Sequence, residues 1–252
     1  MTPTDQVRRG SARSVADALR EQIRSGELGP GAALPTGREL AERFQVTAKT
    51  AAAGVDILKA EGLVIGEQGG RRRVRAVRRI TWNLSEFERG SRRDSHALDD
   101  WATAIKEAGR EPGESIVATL ESADAQVAAC LRLAEGDEVV KRARVRWVDD
   151  EPFQLSTSCF PGTIAKGTVL EESRELSFPG GVLRYIGYPQ TRIRDEISTR
   201  MPTPEETELL QLPLGTPVIQ HVRVGHGTDF PVRVMITIAP GDRNLLVYEQ
   251  EV

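Results

Sequence analysis

No helix can run through Gly29-Pro30-Gly31 or across Leu34-Pro35. Proline lacks the amide donor, and it drives the residue before it out of helical geometry. This punctuation forces the N-terminal part of the chain into several short helices. Upstream of it, Val15, Leu19 and Ile23 recur every four residues, with Ala16 and Ala18 between them. That is the apolar stripe of one helix, with Ser14 as the expected N-cap and Gly26 as its stop. Downstream, Thr36 caps a second helix over residues 37–44, with Glu39 at the capping-box position and Leu40, Ala41 and Phe44 on the buried side. Gln45-Val46 breaks it. Thr47 then caps a third helix running to about residue 61. Its residues Ala51, Val55 and Leu58 face inward, while Ala48, Lys49 and Ala52 fall on or beside the other face.

Two short helices about three residues apart, the second opening on small polar groups, fit a helix-turn-helix. Gly62-Leu63-Val64-Ile65 and Gln68-Gly69-Gly70-Arg71-Arg72-Arg73-Val74-Arg75 follow. An apolar strand, a glycine-containing turn and a basic return strand predict a β-hairpin, the wing of a winged helix. Charge points the same way. The 252 residues carry a net charge of −3, yet residues 1–80 hold 15 basic and 9 acidic side chains, and the remaining 172 hold 19 and 28. A basic head on an acidic body is suited to a head that meets a polyanion.

The strings Ile23-Arg24-Ser25-Gly26-Glu27-Leu28-Gly29-Pro30-Gly31, Leu34-Pro35-Thr36-Gly37-Arg38-Glu39-Leu40-Ala41 and Glu61-Gly62-Leu63-Val64 resemble the DNA-binding domain of GntR-family transcription regulators. The likeness covers roughly residues 12–75. It implies that the third helix enters the major groove by its first turn, where Thr47, Lys49 and Thr50 reach base edges or phosphates. Thr36 and Arg38, at the start of the second helix, fall among the implied DNA contacts, with Arg38 matching an arginine that grips the backbone. Such contacts position the protein rather than specify sequence. Gln68 and Gly69 match the wing tip, and Arg71, Arg72 and Arg73 would follow the phosphates. Where relatives often carry arginines in the third helix, this chain has Ala48 and Ala52. Fewer bidentate guanine contacts are then on offer, and contact with thymine methyls gains weight.

The expected organisation is a flexible arm (1–13), the winged helix-turn-helix (14–77), a linker (78–97) and a second domain (98–252). In that domain a helix is predicted over 98–108, with Trp101 and Ile105 on one face and Gly109 closing it. Strands are predicted at 115–121, 139–148, 153–160, 191–199, 218–225 and 232–238, and further helices at 124–131, 181–186 and 204–210. Hairpins and helices mixed this way predict an α+β domain around an antiparallel sheet. Arg144-Val145-Arg146 with Asp149-Asp150-Glu151-Pro152, Thr203-Pro204-Glu205-Glu206 with Leu209-Leu210, and Pro217-Val218 through Pro231-Val232 resemble the UTRA ligand-binding domain of the HutC-type branch. That domain is similar in fold to chorismate lyase but senses small molecules.

The resemblance implies that Arg144 and Arg146 help hold an anionic group, since a guanidinium fork suits phosphate or carboxylate. Ser156, Arg184 and Tyr185 complete the implied effector site, and Arg194 is a further candidate. The chain departs from its relatives at Ser156, where they commonly have an acidic residue. It departs again at Gly181 and Leu183, which replace Ser and Tyr, and at Arg233, which replaces a glutamate. These changes point away from an amino-sugar phosphate. His221 and His226 have no third ligand in sight, and Cys130 and Cys159 read as small core residues. No catalytic constellation, cofactor motif or zinc spacing is evident.

The leading expectation is a cytoplasmic homodimeric regulator, most simply a repressor. It would bind double-stranded, near-palindromic operator DNA with half-sites about one helical turn apart, tuned by a small anionic metabolite. The alternatives are a constitutive repressor with a vestigial pocket and a lyase-type enzyme built on the second fold. Met1-Thr2-Pro3-Thr4-Asp5 lacks the basic-then-apolar pattern of an export signal. Uncharged apolar runs are only a few residues long, so no membrane helix or membrane partner is expected.

Overall fold

The computed structural model describes residues 10–66, 71–77, 79–84 and 100–249. The chain divides into two compact units. One is Met1–Arg78 with Pro213–Thr216, and the other is Arg79–Leu212 with Pro217–Val252.

The first unit contains α1 (Ala12–Arg24), α2 (Gly37–Phe44) and α3 (Ala48–Ala60), then β1 (Val64–Ile65) paired antiparallel with β2 (Arg73–Val74). Helix α1 starts earlier than its apolar stripe suggests, inside the segment expected to be an arm. Ser11 is the N-cap, accepting from the Ser14 amide at 3.1 Å, while the Ser14 hydroxyl accepts from the Ser11 amide at 2.7 Å. Ser14 is thus the third helical residue of a capping box rather than the cap, because Ala12 and Arg13 are good helix formers that extend the helix by a turn. The α2 box is as predicted, with Thr36 accepting from the Glu39 amide and Glu39 accepting from the Thr36 amide at 2.6 Å. Gln45 ends α2 in the left-handed region (φ 53°).

Val15, Leu19, Leu34, Leu40, Ala51, Val55, Leu58, Val64 and Val74 form one closed core. Gly54 sets the spacing of α1 against α3. A Cβ there would lie 2.8 Å from both the Ala12 carbonyl oxygen and Val15 Cβ. The glycine-proline loop also takes part in the wing sheet, which its turn chemistry conceals. The Gly31 amide donates to Val74 O, the Val74 amide to Ala32 O and the Leu34 amide to Arg72 O.

The second unit is built on six antiparallel strands. They are β4 (Pro112–Ser122), β5 (Glu138–Val148), β6 (Glu151–Pro161), β7 (Arg192–Arg200), β8 (Val218–His226) and β9 (Pro231–Pro240), in the spatial order β4-β5-β6-β9-β8-β7. Asp149 and Asp150, both at positive φ (51° and 65°), make the two-residue turn between β5 and β6. Helices α4 (Asp100–Glu107), α5 (Ala125–Leu131), α6 (Gly162–Ala165), α7 (Val182–Tyr185) and α8 (Pro204–Leu209) complete the α+β architecture. Asp124 caps α5, and a Thr203/Glu206 capping box opens α8.

Much of residues 78–97 lies outside the described residues, but Ile80–Asn83 is strand β3 rather than linker. It pairs in parallel with β10 (Asn244–Val247). No local period announces this pair, because its partner lies more than 160 residues away.

Cross-strand neighbours in a sheet point to the same side. Register therefore assigns Ala143, Thr157, Ile236 and Val222 to one face, and Arg144, Ser156, Thr237 and His221 to the other. On the first face α5 packs Val127, Ala128 and Leu131 against Cys159, Val222 and Val234. The second face is covered at one end by Ile164, Ala165, Leu170 and Leu183 over Val140, Phe160 and Val232. At the other end Ile80, Trp82, Trp101 and Ile105 close over Val148 and Phe153. Among the described residues, no helix is long and apolar enough to cross a membrane.

Candidate nucleic-acid interface and ligand cavity

In the first unit the N-terminal turn of α3 is held open by its cap. Thr47 Oγ1 accepts from the Thr50 amide at 3.1 Å and lies 2.9 Å from the Thr50 hydroxyl, so the two hydroxyls orient one another. Thr47, Ala48, Lys49, Ala53 and Asp56 are exposed, and Ala52 is half-buried. The outer face of α3 thus offers small side chains, the Lys49 cation and, two turns on, the Asp56 carboxylate. Glycine at 54 and the inward Ala51, Val55 and Leu58 commit the opposite face to the core.

Arg38 is 89% exposed at the start of α2 and pairs with Glu42 one turn on, at 3.1 Å. An exposed pair of this kind contributes little to stability, and a guanidinium at a helix N-terminus opposes the dipole. Its placement therefore costs little to redirect toward a phosphate. Arg71 is exposed, and its charge, after the dominant hydrogen bond from the Thr36 backbone, helps hold the Glu39 carboxyl below the ordinary range. Arg72 is half-buried. Arg73 is exposed and donates to the Gly31 carbonyl at 3.1 Å, which pins the return strand to the glycine-proline loop. The Thr36 hydroxyl is engaged as a cap. Gln68 and Gly69 lie outside the described residues.

The second unit holds a cavity of about 230 Å³ between the covering layer of β3, α4 and β10 and the polar face of the sheet. Trp82 and Trp101 stand in its wall with ring centroids 6.5 Å apart and planes 16° from parallel. Trp82 Nε1 is hydrogen-bonded to Asn244 Oδ1 at 2.5 Å, and Asn244 Nδ2 donates to the Pro240 carbonyl. Arg146 lies 4.7 Å over the Trp101 ring and donates to Glu114 at 3.1 Å, so a cation–π contact and an ion pair hold one guanidinium. From the floor, Arg223 makes a bidentate pair with Asp195 (2.6 and 2.8 Å), and His221 Nε2 lies 2.8 Å from the same carboxylate. Partial burial pushes the Asp195 carboxyl up, but the His221 and Arg223 hydrogen bonds and charges outweigh it and hold the group well below the usual range. Arg233 donates to Ser158 Oγ at 3.3 Å and to Met235 Sδ at 2.9 Å.

Of the five expected effector residues, Arg146 lines this cavity. Ser156 is buried in the same sheet face, and Arg144 lies 3.7 Å from Glu114. Arg184 and Tyr185 do not line it. Both are exposed on α7, where Tyr185 stacks on Phe178 at 4.0 Å, because Leu183 takes the inward position of that short helix. Arg194 is exposed and pairs with Glu196. Gln154, Arg223, Thr237, Trp82 and Trp101 were not foreseen as lining, and His221 serves Asp195 rather than a metal. The available signal was period-two polarity, as in Arg142-x-Arg144-x-Arg146 and His221-x-Arg223. Such alternation in strands this apolar marks a face turned toward something other than a core.

Next on β5, Arg142 is only 1% exposed. It donates to the carbonyls of Leu170 (2.9 Å), Glu172 (2.5 Å) and Arg174 (2.6 Å), pinning the segment after β6 onto the sheet. Burial pushes its guanidinium down to about 10, so it remains charged at neutral pH. Cys130 and Cys159 are both free thiols packed around α5.

Residues 11–74 match the model for bacterial regulatory proteins of the gntR family, and residues 107–244 match the UTRA domain. The chain is 29% identical over 226 residues to the uncharacterized HTH-type transcriptional regulator SCO4628 of Streptomyces coelicolor, covering 86% of this chain and 83% of the relative. It is 27% identical over 206 residues to the HTH-type transcriptional repressor NagR of Bacillus subtilis, covering 81% and 79%. In fold it is similar to the crystal structure of PhnF from Mycobacterium smegmatis, with TM-score 0.56, 23% identity, and 94% and 99% of the two chains covered.

Proposed function

The chain belongs to the gntR family of bacterial regulatory proteins and carries a UTRA domain, and on that premise we propose a homodimeric repressor whose operator affinity is set by a small anionic effector in the second unit. As a family member it is a DNA-binding transcription regulator. Repression draws support from relatives named as repressors, NagR and the mannosyl-D-glycerate system repressor MngR of Escherichia coli. The observation that carries the effector reading is the cavity itself, whose described lining holds Arg146, His221, Arg223 and Arg233 and no carboxylate.

On the DNA side, Lys49 and Thr50 of α3 would face base edges, and Arg38, Arg71, Arg72 and Arg73 would neutralise phosphates. Thr36 and Thr47 would act chiefly by presenting the two helix N-termini, whose free amides and dipoles attract phosphate. A winged-helix unit that opens with α1 at Ala12, a sensing unit that takes in β3 from Ile80, and a near-palindromic operator complete the proposal. An effector acts by binding one arrangement of the dimer better than the other, so it must weaken operator binding by the factor that the operator weakens effector binding.

The test is fluorescence anisotropy on DNA from the gene's own promoter, across a salt series, with the Arg71/Arg72/Arg73→Ala variant alongside. Selective binding is expected. Each lost phosphate contact should flatten the log–log salt slope by about 0.9, so the triple variant flattens it by up to about 3. Binding no tighter than to random DNA, repeated in a genome-wide selection, refutes operator recognition. Release of pyruvate from chorismate by the purified chain would instead support the enzyme reading.

A further inference from the structure

We propose that the cavity of the second unit takes a small aromatic carboxylate, a one- or two-ring acid, rather than a sugar phosphate. This rests on the effector reading above and names the ligand class. Two residues of the lining each carry a buried polar atom that lacks a partner. The Thr237 hydroxyl and the Trp101 indole N–H are both shielded from solvent and have no hydrogen-bond partner among the described residues, and the residues that carry them are 9% and 5% exposed. A buried donor left unsatisfied carries its full desolvation cost, so a site holding two is incomplete without its occupant.

The chemistry of the wall narrows what that occupant is. Thr237 stands beside His221 across the β8–β9 pair, and next to it in register are Arg223 and Met235. An acid group reaching the Thr237 hydroxyl therefore meets no carboxylate in the lining itself and lies beside the Arg223 guanidinium, whose charge is partly offset by Asp195 behind it. Most of the rest of the lining is apolar, with Trp82, Leu84, Ile219, Met235, Ala239 and Leu246 facing the same space and Gln154 and Asn244 the uncharged polar exceptions. A sugar needs several convergent amide or carboxylate groups to replace the water on its hydroxyls. Among the uncharged polar residues here, the Asn244 side chain is already committed to Trp82 and Pro240, which leaves Gln154 and Thr237, fewer groups than the several hydroxyls of a sugar call for. A flat unsaturated ring fits against the near-parallel indole pair, with its edge toward the remaining apolar surface. At about 230 Å³ the space falls below the ~300–1,000 Å³ of drug-sized sites, which suits one or two rings.

The experiment is calorimetric titration of the full chain with four probes: 2-naphthoate, its uncharged counterpart 2-naphthylmethanol, glucosamine 6-phosphate and inorganic phosphate. The Thr237→Val variant runs beside the parent chain. Valine keeps the shape and removes only an unpartnered hydroxyl, so the variant is expected to fold and melt no lower than the parent. 2-Naphthoate should bind, and both the loss of its charge and the loss of the Thr237 hydroxyl should weaken binding by about tenfold or more. Equal binding of the acid and the alcohol overturns the assignment of an anion. Binding of glucosamine 6-phosphate in place of 2-naphthoate overturns the aromatic class while leaving the effector reading standing. If no probe binds, release of the operator complex by a small-molecule cell extract separates the two failures. Release overturns only the ligand class, and no release overturns the effector reading as well.

Discussion

Replacing Gly54 with alanine sets two known effects against each other in one residue. Alanine is favoured over glycine inside a helix by about 1 kcal/mol, so on propensity alone Gly54→Ala strengthens α3. The new methyl would stand 2.8 Å from Ala12 O and Val15 Cβ and 2.9 Å from Val15 Cγ1. Ordinary carbon contacts sit near ~3.5–4.0 Å. Two of the three obstructing atoms are backbone or Cβ, which no rotamer change can move, so α1 itself must shift away from α3. Val15 and Leu19 are fully buried, so that shift opens the core. Overpacking of this kind costs about 1–3 kcal/mol. With three hard contacts we take the upper end, and about 2 kcal/mol of destabilisation remains after the propensity gain. That is an opening equilibrium about 30-fold larger.

The three tryptophans, at 82, 101 and 147, all lie outside the first unit, so their fluorescence is blind to this change. Amide hydrogen exchange on peptides from α1 and α3 reads it directly. Gly37→Ala is the control, because Gly37 opens α2 with nothing within 4 Å of its added Cβ. There, exchange should slow by a few-fold for a gain of about 0.4–1 kcal/mol. If Gly54→Ala protects α1 and α3 as well as glycine does, the packing argument is wrong and propensity governs the site.

Two further outcomes concern the second unit. Arg142→Met leaves the carbonyls of Leu170, Glu172 and Arg174 without their donor, so about 3–5 kcal/mol of stability should be lost, read as a lower urea midpoint in tryptophan fluorescence; an unchanged midpoint means that water replaces the guanidinium. Because the Asp195 carboxyl is held below its unfolded value of about 3.9, its stabilisation is complete above that pH and drains away as pH falls toward the folded value. The stability gap between the parent and Asp195→Asn should therefore narrow from pH 5 downward, and a gap independent of pH would contradict the pairing.

How far the sequence reaches depends on how local the cause is. The caps at Thr36 and Thr47 and the strand-forming stretches are short-range physics, and a one-dimensional reading finds them. So is the break at Gly29-Pro30-Gly31, and together these announced the winged head and the antiparallel sheet. Ser14 misled because the apolar stripe marks the buried face of α1 and not its end, which the Ser11–Ser14 exchange of hydrogen bonds sets. The parallel pairing of Ile80–Asn83 with Asn244–Val247 is a long-range choice, and loop closure of that length leaves no mark on local pattern. The expected effector residues divide along the same line. Arg146, which the resemblance implied, lines the cavity. Trp82, Arg223 and Thr237 became neighbours only once strand order set β8 and β9 beside β6 and laid β3 and α4 over them. Arg184 and Tyr185, chosen by resemblance, turned outward because Leu183 claimed the buried side of their single helical turn. Sequence alone determined the elements and the charge of the head; tertiary packing decided which polar strand positions share a cavity, because that depends on register between distant strands.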